Sequence, residues 1–269
     1  MILNLAESLR RAFGFRFPPL GQAAFRLLFR LLPIQASVEI VRGIRADLDF
    51  RDATMRATYW QGDRFESPTA QVLERWAKSA THFFDIGSNY GYFSYYLLAT
   101  RSNLQVHAFE PNRHTFERIE ATRTANNLAT LHSWNVGLSD APASLALHPG
   151  ADDSGHSTFG PHPELGGRSL APIDVLPFDD WRRDAGLMLP TSPQWIAKID
   201  VEGFEARVLH GMREALHARA FAGLAIEMNE FTLGFCGSTP GELRRLMSEC
   251  GYREIGVHRN SGNAFFVPA

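Results

Sequence analysis

The sequence predicts an α/β protein: a mostly parallel sheet with helices on both faces, behind a small helical and hairpin N-terminal extension. Two observations carry this. Short apolar runs alternate with helix-like stretches from residue 81 to 228, the pattern of repeated strand–helix crossovers. Each apolar run ends in a polar residue, at Asp85, Glu110, Asn135, Asp200 and Glu227-Met228-Asn229. In sheets of this kind ligands gather at the carboxyl ends of the strands.

The chain has 269 residues, 45% of them hydrophobic and 21% charged, the balance of a globular protein and enough for one large α/β domain with a small extension or for two small domains. A net charge of -2 argues against a nucleic-acid partner. Cys236 and Cys250 form neither a disulfide framework nor a metal knuckle, so a reducing cytoplasm is the expected compartment. No apolar run is long enough to span a bilayer, and the N-terminus lacks the layout of a signal peptide.

Residues 1–36 stand apart. Leu5, Leu9, Ala12 and Phe13 predict one helix, stopped by Pro18-Pro19; Phe25, Leu28, Phe29 and Leu32 predict a second, stopped by Pro33. Arg10, Arg11, Arg16, Arg26 and Arg30 face a single acid, Glu7. Two readings stay open: a cap packed on the main domain, or a basic amphipathic surface in peripheral contact with an anionic membrane. The extension runs to residue 58 and includes a hairpin over 37–50 that turns near Gly43; the main domain covers 59–269.

A helix over Pro68–Ala77 leads into the first strand and its turn, Phe83-Phe84-Asp85-Ile86-Gly87-Ser88-Asn89-Tyr90-Gly91, after which a helix begins. Gly87 and Gly91 permit positive φ and close approach of a ligand; Asn89 tolerates the left-handed region. The third glycine of a dinucleotide fingerprint is absent, since position 92 is Tyr, so the turn suits a nucleoside better than a pyrophosphate. Leu104–Phe109 is the second strand; Asn112 is placed to cap the following helix, anchored by Phe116 and Ile119. Thr130–Val136 reads as a third strand and Ser144–His148 as a short extra one. The long irregular stretch 149–169 carries His156 and His162; its length is that of a functional loop, able to act as a lid, or of a disordered one. Leu170–Val175 reads as a strand and Asp179–Ala185 as a helix.

The strand Trp195–Ile199 ends in Asp200-Val201-Glu202-Gly203, and a helix with Phe204, Val208, Leu209 and Met212 on one face follows. Phe221–Met228 is another strand. Thr239-Pro240-Gly241-Glu242 is a capping box with proline at the first helical position. Tyr252–Val257 and Ala264–Val267 close the chain as a hairpin about Ser261-Gly262.

Asp85 and Glu110 lie 25 residues apart at the ends of the first two strands, where an acid can accept both hydroxyls of a ribose. With no phosphate grip, a ribose, an adenine and a cationic tail fit best, which is the make-up of S-adenosylmethionine. A sulfonium is favoured near carboxylates and aromatic faces such as those of Tyr90, Tyr92 and Phe93.

The segments Asp85-Ile-Gly-Ser-Asn-Tyr-Gly-Tyr-Phe-Ser94, Phe109-Glu-Pro-Asn112, Asn135-Val-Gly-Leu-Ser-Asp140 and Lys198-Ile-Asp-Val-Glu-Gly-Phe-Glu205 resemble the FkbM family of S-adenosylmethionine-dependent methyltransferases. The likeness runs from about Tyr59 to the C-terminus. It implies a Rossmann-like seven-stranded methyltransferase sheet whose last hairpin inserts one antiparallel strand. It also implies methyl transfer to a hydroxyl of a sugar, glycan, glycolipid or other natural product. By that likeness Asp85, Gly87, Ser88, Asn89 and Gly91 hold the methionine end, and Glu110 holds the ribose. Asn135, Val136, Gly137 and Leu138 border the adenine, with Gly at 137 where the family leads one to expect Ala, and Glu66 reaches the cofactor.

An alcohol is a poor nucleophile, so a base or a metal ion should help remove its proton. Asp200 and Glu202 are the first candidates for proton removal or for Mg²⁺, beside the expected methyl position; His156 and His162 are the other candidate bases. Metal dependence stays open. So does the oligomeric state, with which a homodimer is compatible. Two other functions remain: a methyltransferase-like module that binds without turnover, and, disfavoured by the missing glycine, a nicotinamide-dependent oxidoreductase.

Overall fold

The computed structural model describes residues 35–148, 154–160, 171–258 and 261–269. The two helices expected before Pro33 lie outside the described residues, as do His162, Leu170 and most of the long irregular stretch. His156 is described in its backbone only.

The chain enters as a hairpin, β1 (Gln35–Val41) and β2 (Ile44–Asp49), turning through Arg42 and Gly43 at φ of 40° and 87°. Two consecutive positive φ values match the twist of an antiparallel pair, and Gly43 takes the second without cost. Helix α1 (Ala53–Gln61) follows, capped by Asp52, whose carboxylate accepts from the Met55 N–H. It runs across position 58, where the sequence reading divides the chain. Val38, Ile40 and Tyr59 share one core with Leu73, Phe83 and Tyr95, so the hairpin is fused to the main body. Helix α2 (Ser67–Ala77) has Pro68 in its first turn, as expected.

The main sheet is built from β3 (His82–Ile86), β4 (Gln105–Phe109), β5 (Leu131–Trp134), β9 (Trp195–Ile199), β10 (Phe221–Glu227), β11 (Tyr252–His258) and β12 (Asn263–Pro268). Its order is β11-β12-β10-β9-β3-β4-β5. The inner strands are parallel, and β12 alone runs antiparallel, between β10 and β11. This is the seven-stranded arrangement with an inserted last hairpin.

Alternating side chains fill the two faces. Phe83, Val106, Ile196 and Ala225 pack with α1, α2, α3 (Tyr92–Thr100) and α4 (Arg113–Ala125). Phe84, Trp195, Leu224 and Phe266 pack with α5 (Phe178–Asp184), α6 (Glu205–Gly211), α7 (Arg213–His217), α8 (Glu230–Phe235) and α9 (Pro240–Glu249). Phe83 and Phe84 are fully buried on opposite faces, each contributing roughly 1.5–3 kcal/mol. Thr239 caps α9 by accepting from the Glu242 N–H, but the Glu242 carboxylate takes the Ser238 hydroxyl, so only half of the expected capping box forms.

The third strand is shorter than expected. It ends at Trp134, because the Asn135 side-chain amide donates to the Glu110 and Pro111 carbonyls and turns the chain. Gly137-Leu138 (β6) then joins a separate sheet with β8 (Ile173–Leu176), against which β7 (Ala143–Leu145) runs antiparallel. Among the described residues no helix is long and apolar enough to cross a membrane.

Candidate active site

Strand register builds the site. Ile86 is paired with Phe109 and Ile199, Phe109 with Trp134, and Ile199 with Ile226. The parallel strands therefore end in one row, and the residue after each emerges at the same edge. A cavity of about 600 Å³ opens there, a volume that suits a nucleoside-sized ligand with a second group beside it.

The turn after β3 forms one wall. The N–H groups of Gly87 and Ser88 both donate to the Phe109 carbonyl, at 3.1 and 3.0 Å. Gly87 has φ of +77°, and a Cβ there would lie 1.8 Å from the Asp200 carbonyl oxygen. No other residue type fits between these strands. Asn89 takes the left-handed conformation at φ 49°.

Glu110 is almost fully buried and accepts from the Asn112 N–H at 2.8 Å and from the Asn89 N–H. Burial outweighs those bonds and pushes its pKa up to about 8. Phe109, Pro111, Val136, Gly137 and Leu138 make an apolar wall beside it. Glu66 reaches the cavity from a left-handed backbone at φ 42° and accepts from the Asn263 side-chain amide at 3.2 Å. Burial raises its pKa, opposed by Lys198.

The opposite end is acidic. Lys198 is buried, pairs with the Asp200 carboxylate and lies 4.7 Å from the centre of the Phe93 ring. Burial works against its charge, yet Asp200 and Glu66 hold its pKa above the ordinary lysine value. The Glu205 carboxylate is turned inward to accept from the Val201 and Gly203 N–H groups, which closes the β9–α6 turn; burial raises its pKa to about 7. Glu202 projects from that turn at φ 51°, and its carbonyl accepts from the Thr158 hydroxyl at 2.7 Å. Asp200, Glu202 and Glu227 each offer a carboxylate oxygen within 4.8 Å of the others. Burial and the neighbouring Asp200 and Glu202 raise the Glu227 pKa well above the ordinary value.

Ten of the expected catalytic and cofactor-binding residues line this cavity: Glu66, Gly87, Ser88, Asn89, Glu110, Val136, Gly137, Leu138, Asp200 and Glu202. Asp85, Gly91 and Asn135, also expected there, are not on its wall. The Asp85 carboxylate is folded under the loop, where it accepts from the N–H and hydroxyl of Ser94, at 3.1 and 2.6 Å; burial raises its pKa to about 6. The Tyr95 ring covers Gly91. The Asn135 amide is spent on the backbone of Glu110 and Pro111. The backbone turn Ser154–His156 joins the wall through Ser154 and Gly155, whereas the His156 side chain lies outside the described residues.

Two further residues are not among the expected site residues: Lys198, which the sequence places only within the family-like segment, and Glu227, which it marks only as a strand end. Both line the cavity. The signal for Glu227 was its place in the row of polar strand ends.

The model of the FkbM methyltransferase domain matches residues 85–254, and the chain belongs to that family. It is thereby an S-adenosylmethionine-dependent methyltransferase. The hexuronic acid methyltransferase AglP of Haloferax volcanii is 27% identical over 187 residues, covering 69% of each chain. Solved structures that the chain matches include the precorrin-6y C5,15-methyltransferase of Geobacter metallireducens, at TM-score 0.40 and 11% identity over 74% of this chain and 85% of that one. WbdD matches at TM-score 0.47 and 9% identity over 78% of this chain, which spans only 41% of WbdD.

Proposed function

We propose that the protein moves the methyl group of S-adenosylmethionine to a hydroxyl oxygen of a sugar, glycan, glycolipid or other hydroxylated natural product. The observation that carries this is the polarity of one cavity. A buried acid, Glu110, stands beside an apolar wall at one end, and a cluster of acids stands at the other. Glu110 accepts the ribose hydroxyls, and Val136 to Leu138 flank the adenine. Gly87 to Asn89 and Glu66 hold the methionine end. That places the sulfonium toward Asp200, where carboxylates favour a cation.

In-line displacement needs the acceptor oxygen aligned with the sulfur–methyl bond and water kept out. Asp200 and Glu202 stand where they can take the hydroxyl proton. His156, whose turn adjoins Gly155 on the cavity wall, is the other candidate base. A sugar acceptor is favoured by the likeness to AglP, a hexuronic acid methyltransferase by name. Residues 1–36 serve either as a cap or as the contact with an anionic membrane surface on which a glycolipid acceptor is presented.

The test is incubation with methyl-labelled S-adenosylmethionine and a panel of sugars and hydroxylated natural products. Label should reach an acceptor oxygen with the native chain and fall at least a hundredfold with Asp200→Asn, in the range of a lost acid–base group. Binding of S-adenosylhomocysteine without transfer to any hydroxyl would leave a binding module instead.

A further inference from the structure

We propose that Asp200, Glu202 and Glu227 form a binding site for a hard divalent cation, of the class of Mg²⁺ and Mn²⁺, at the acidic end of the cavity. Its role in methyl transfer rests on the function proposed above; the binding itself does not.

Geometry comes first. The strands carrying Asp200 and Glu227 are hydrogen-bonded parallel neighbours, with Ile199 level with Ile226, so the two acids emerge side by side. The turn after β9 brings Glu202 back to them. The three carboxylates can present one oxygen each within 4.8 Å of one another. Oxygens bound to one hard divalent ion at about 2.0–2.6 Å lie at most about 4–5 Å apart, so an upper separation of 4.8 Å is compatible with a single shared ion.

The second observation is independent of the clustering. Glu227 Oε2 is sealed from solvent and has no hydrogen-bond partner among the described residues. A carboxylate oxygen in that state is costly unless something supplies the missing interaction. Lys198 is the only basic residue among those lining the described cavity, and Asp200 and Glu66 already hold it. One ammonium faces three clustered carboxylates, and a divalent cation offsets the excess. An all-carboxylate set selects a hard ion over zinc or copper.

Three monodentate carboxylates leave about half of an octahedron open. An acceptor hydroxyl in an open position loses its proton more readily. Its oxygen then bonds to the methyl carbon as the sulfur–methyl bond breaks, the electron pair stays on sulfur, and the proton leaves to water.

The experiment is Mn²⁺ titration of the full chain, followed by the electron paramagnetic resonance of the free ion, with and without S-adenosylhomocysteine. One Mn²⁺ per chain, displaced by Mg²⁺, is expected. Affinity should fall about tenfold or more in Glu227→Gln and in Glu202→Gln, both still binding S-adenosylhomocysteine. Absence of saturable binding to the native chain at millimolar Mn²⁺, or binding that Glu227→Gln leaves unchanged, overturns the site and leaves three acids sharing protons. Failure of S-adenosylhomocysteine to bind the native chain counts against the proposed function alone, because the Mn²⁺ result is read separately.

Discussion

Gly87 and Asp200 interlock. The hydrogen on the Gly87 Cα faces the Asp200 carbonyl so closely that a methyl group in its place would sit 1.8 Å from the oxygen. The Asp200 N–H in turn donates to the Ile86 carbonyl at 3.0 Å. The loop proposed to hold the cofactor and the strand end proposed for chemistry are thus one rigid unit. Gly87→Ala forces apart β3 and β9 and adds the strain of a positive φ. A loss of about 2–4 kcal/mol of stability is expected, read by urea denaturation, with loss of S-adenosylhomocysteine binding.

The proposed ribose contact makes cofactor affinity depend on pH through Glu110. Burial raises its carboxyl pKa to about 8, and in that proposed contact the ribose hydroxyls donate to the ionised form. Binding therefore favours loss of a proton. The affinity for S-adenosylhomocysteine should rise with pH, by up to about tenfold per unit below 8, and level off above. Calorimetric titrations across this range test it, and Glu110→Gln should bind more weakly with a flat profile.

The buried acids also set the stability of the unliganded protein. Asp85, Glu110 and Glu205 have pKa values raised by burial to about 6, 8 and 7. A raised folded-state pKa gives stability that is present below the unfolded value and lost as pH rises through the folded one. These groups should lower the melting temperature progressively from about pH 4 to pH 8. A melting series without cofactor checks this, and Glu110→Gln should remove the upper part of the slope.

His107 acts in the opposite direction. Its ring is stacked 5.6 Å from His82 and 5.2 Å from His132, and among the described residues neither ring nitrogen has a hydrogen-bond partner. Burial, then the two neighbouring histidines, lower its pKa to about 3. Its contribution is intact above about pH 6.5 and lost as pH falls toward 3. His107→Leu leaves no polar atom to desolvate, and should be more stable than the native chain at pH 5 by about 2 kcal/mol relative to the difference at pH 8.

Much of this was legible in the sequence because strands and their terminal acids are local signals. The parallel core, the β3 turn and the placement of Glu110 and Asp200 follow from apolar runs ending in polar residues. What the runs do not encode is side-chain direction at a strand end. Asp85 and Asn135 sit at the expected positions, yet Ser94 captures one and the Glu110 and Pro111 carbonyls capture the other. Glu227 needed the opposite correction. It reads as an ordinary strand end until the pairing of β9 and β10 sets it beside Asp200. The family resemblance leads one to expect Ala at position 137, where this chain has Gly; a Cβ there would meet the Phe159 ring and Val175 at 2.9 Å, a contact made only in three dimensions.

A crystal structure with S-adenosylhomocysteine bears most directly on the central proposal, that this one cavity holds the methyl donor with its sulfur toward the acids. Density is expected along the row of strand ends, the ribose hydroxyls within hydrogen-bond distance of Glu110 and the sulfur facing Asp200 and Glu227. Density with the ribose at Asp200, or a cavity left empty by crystals soaked at millimolar ligand, would contradict it.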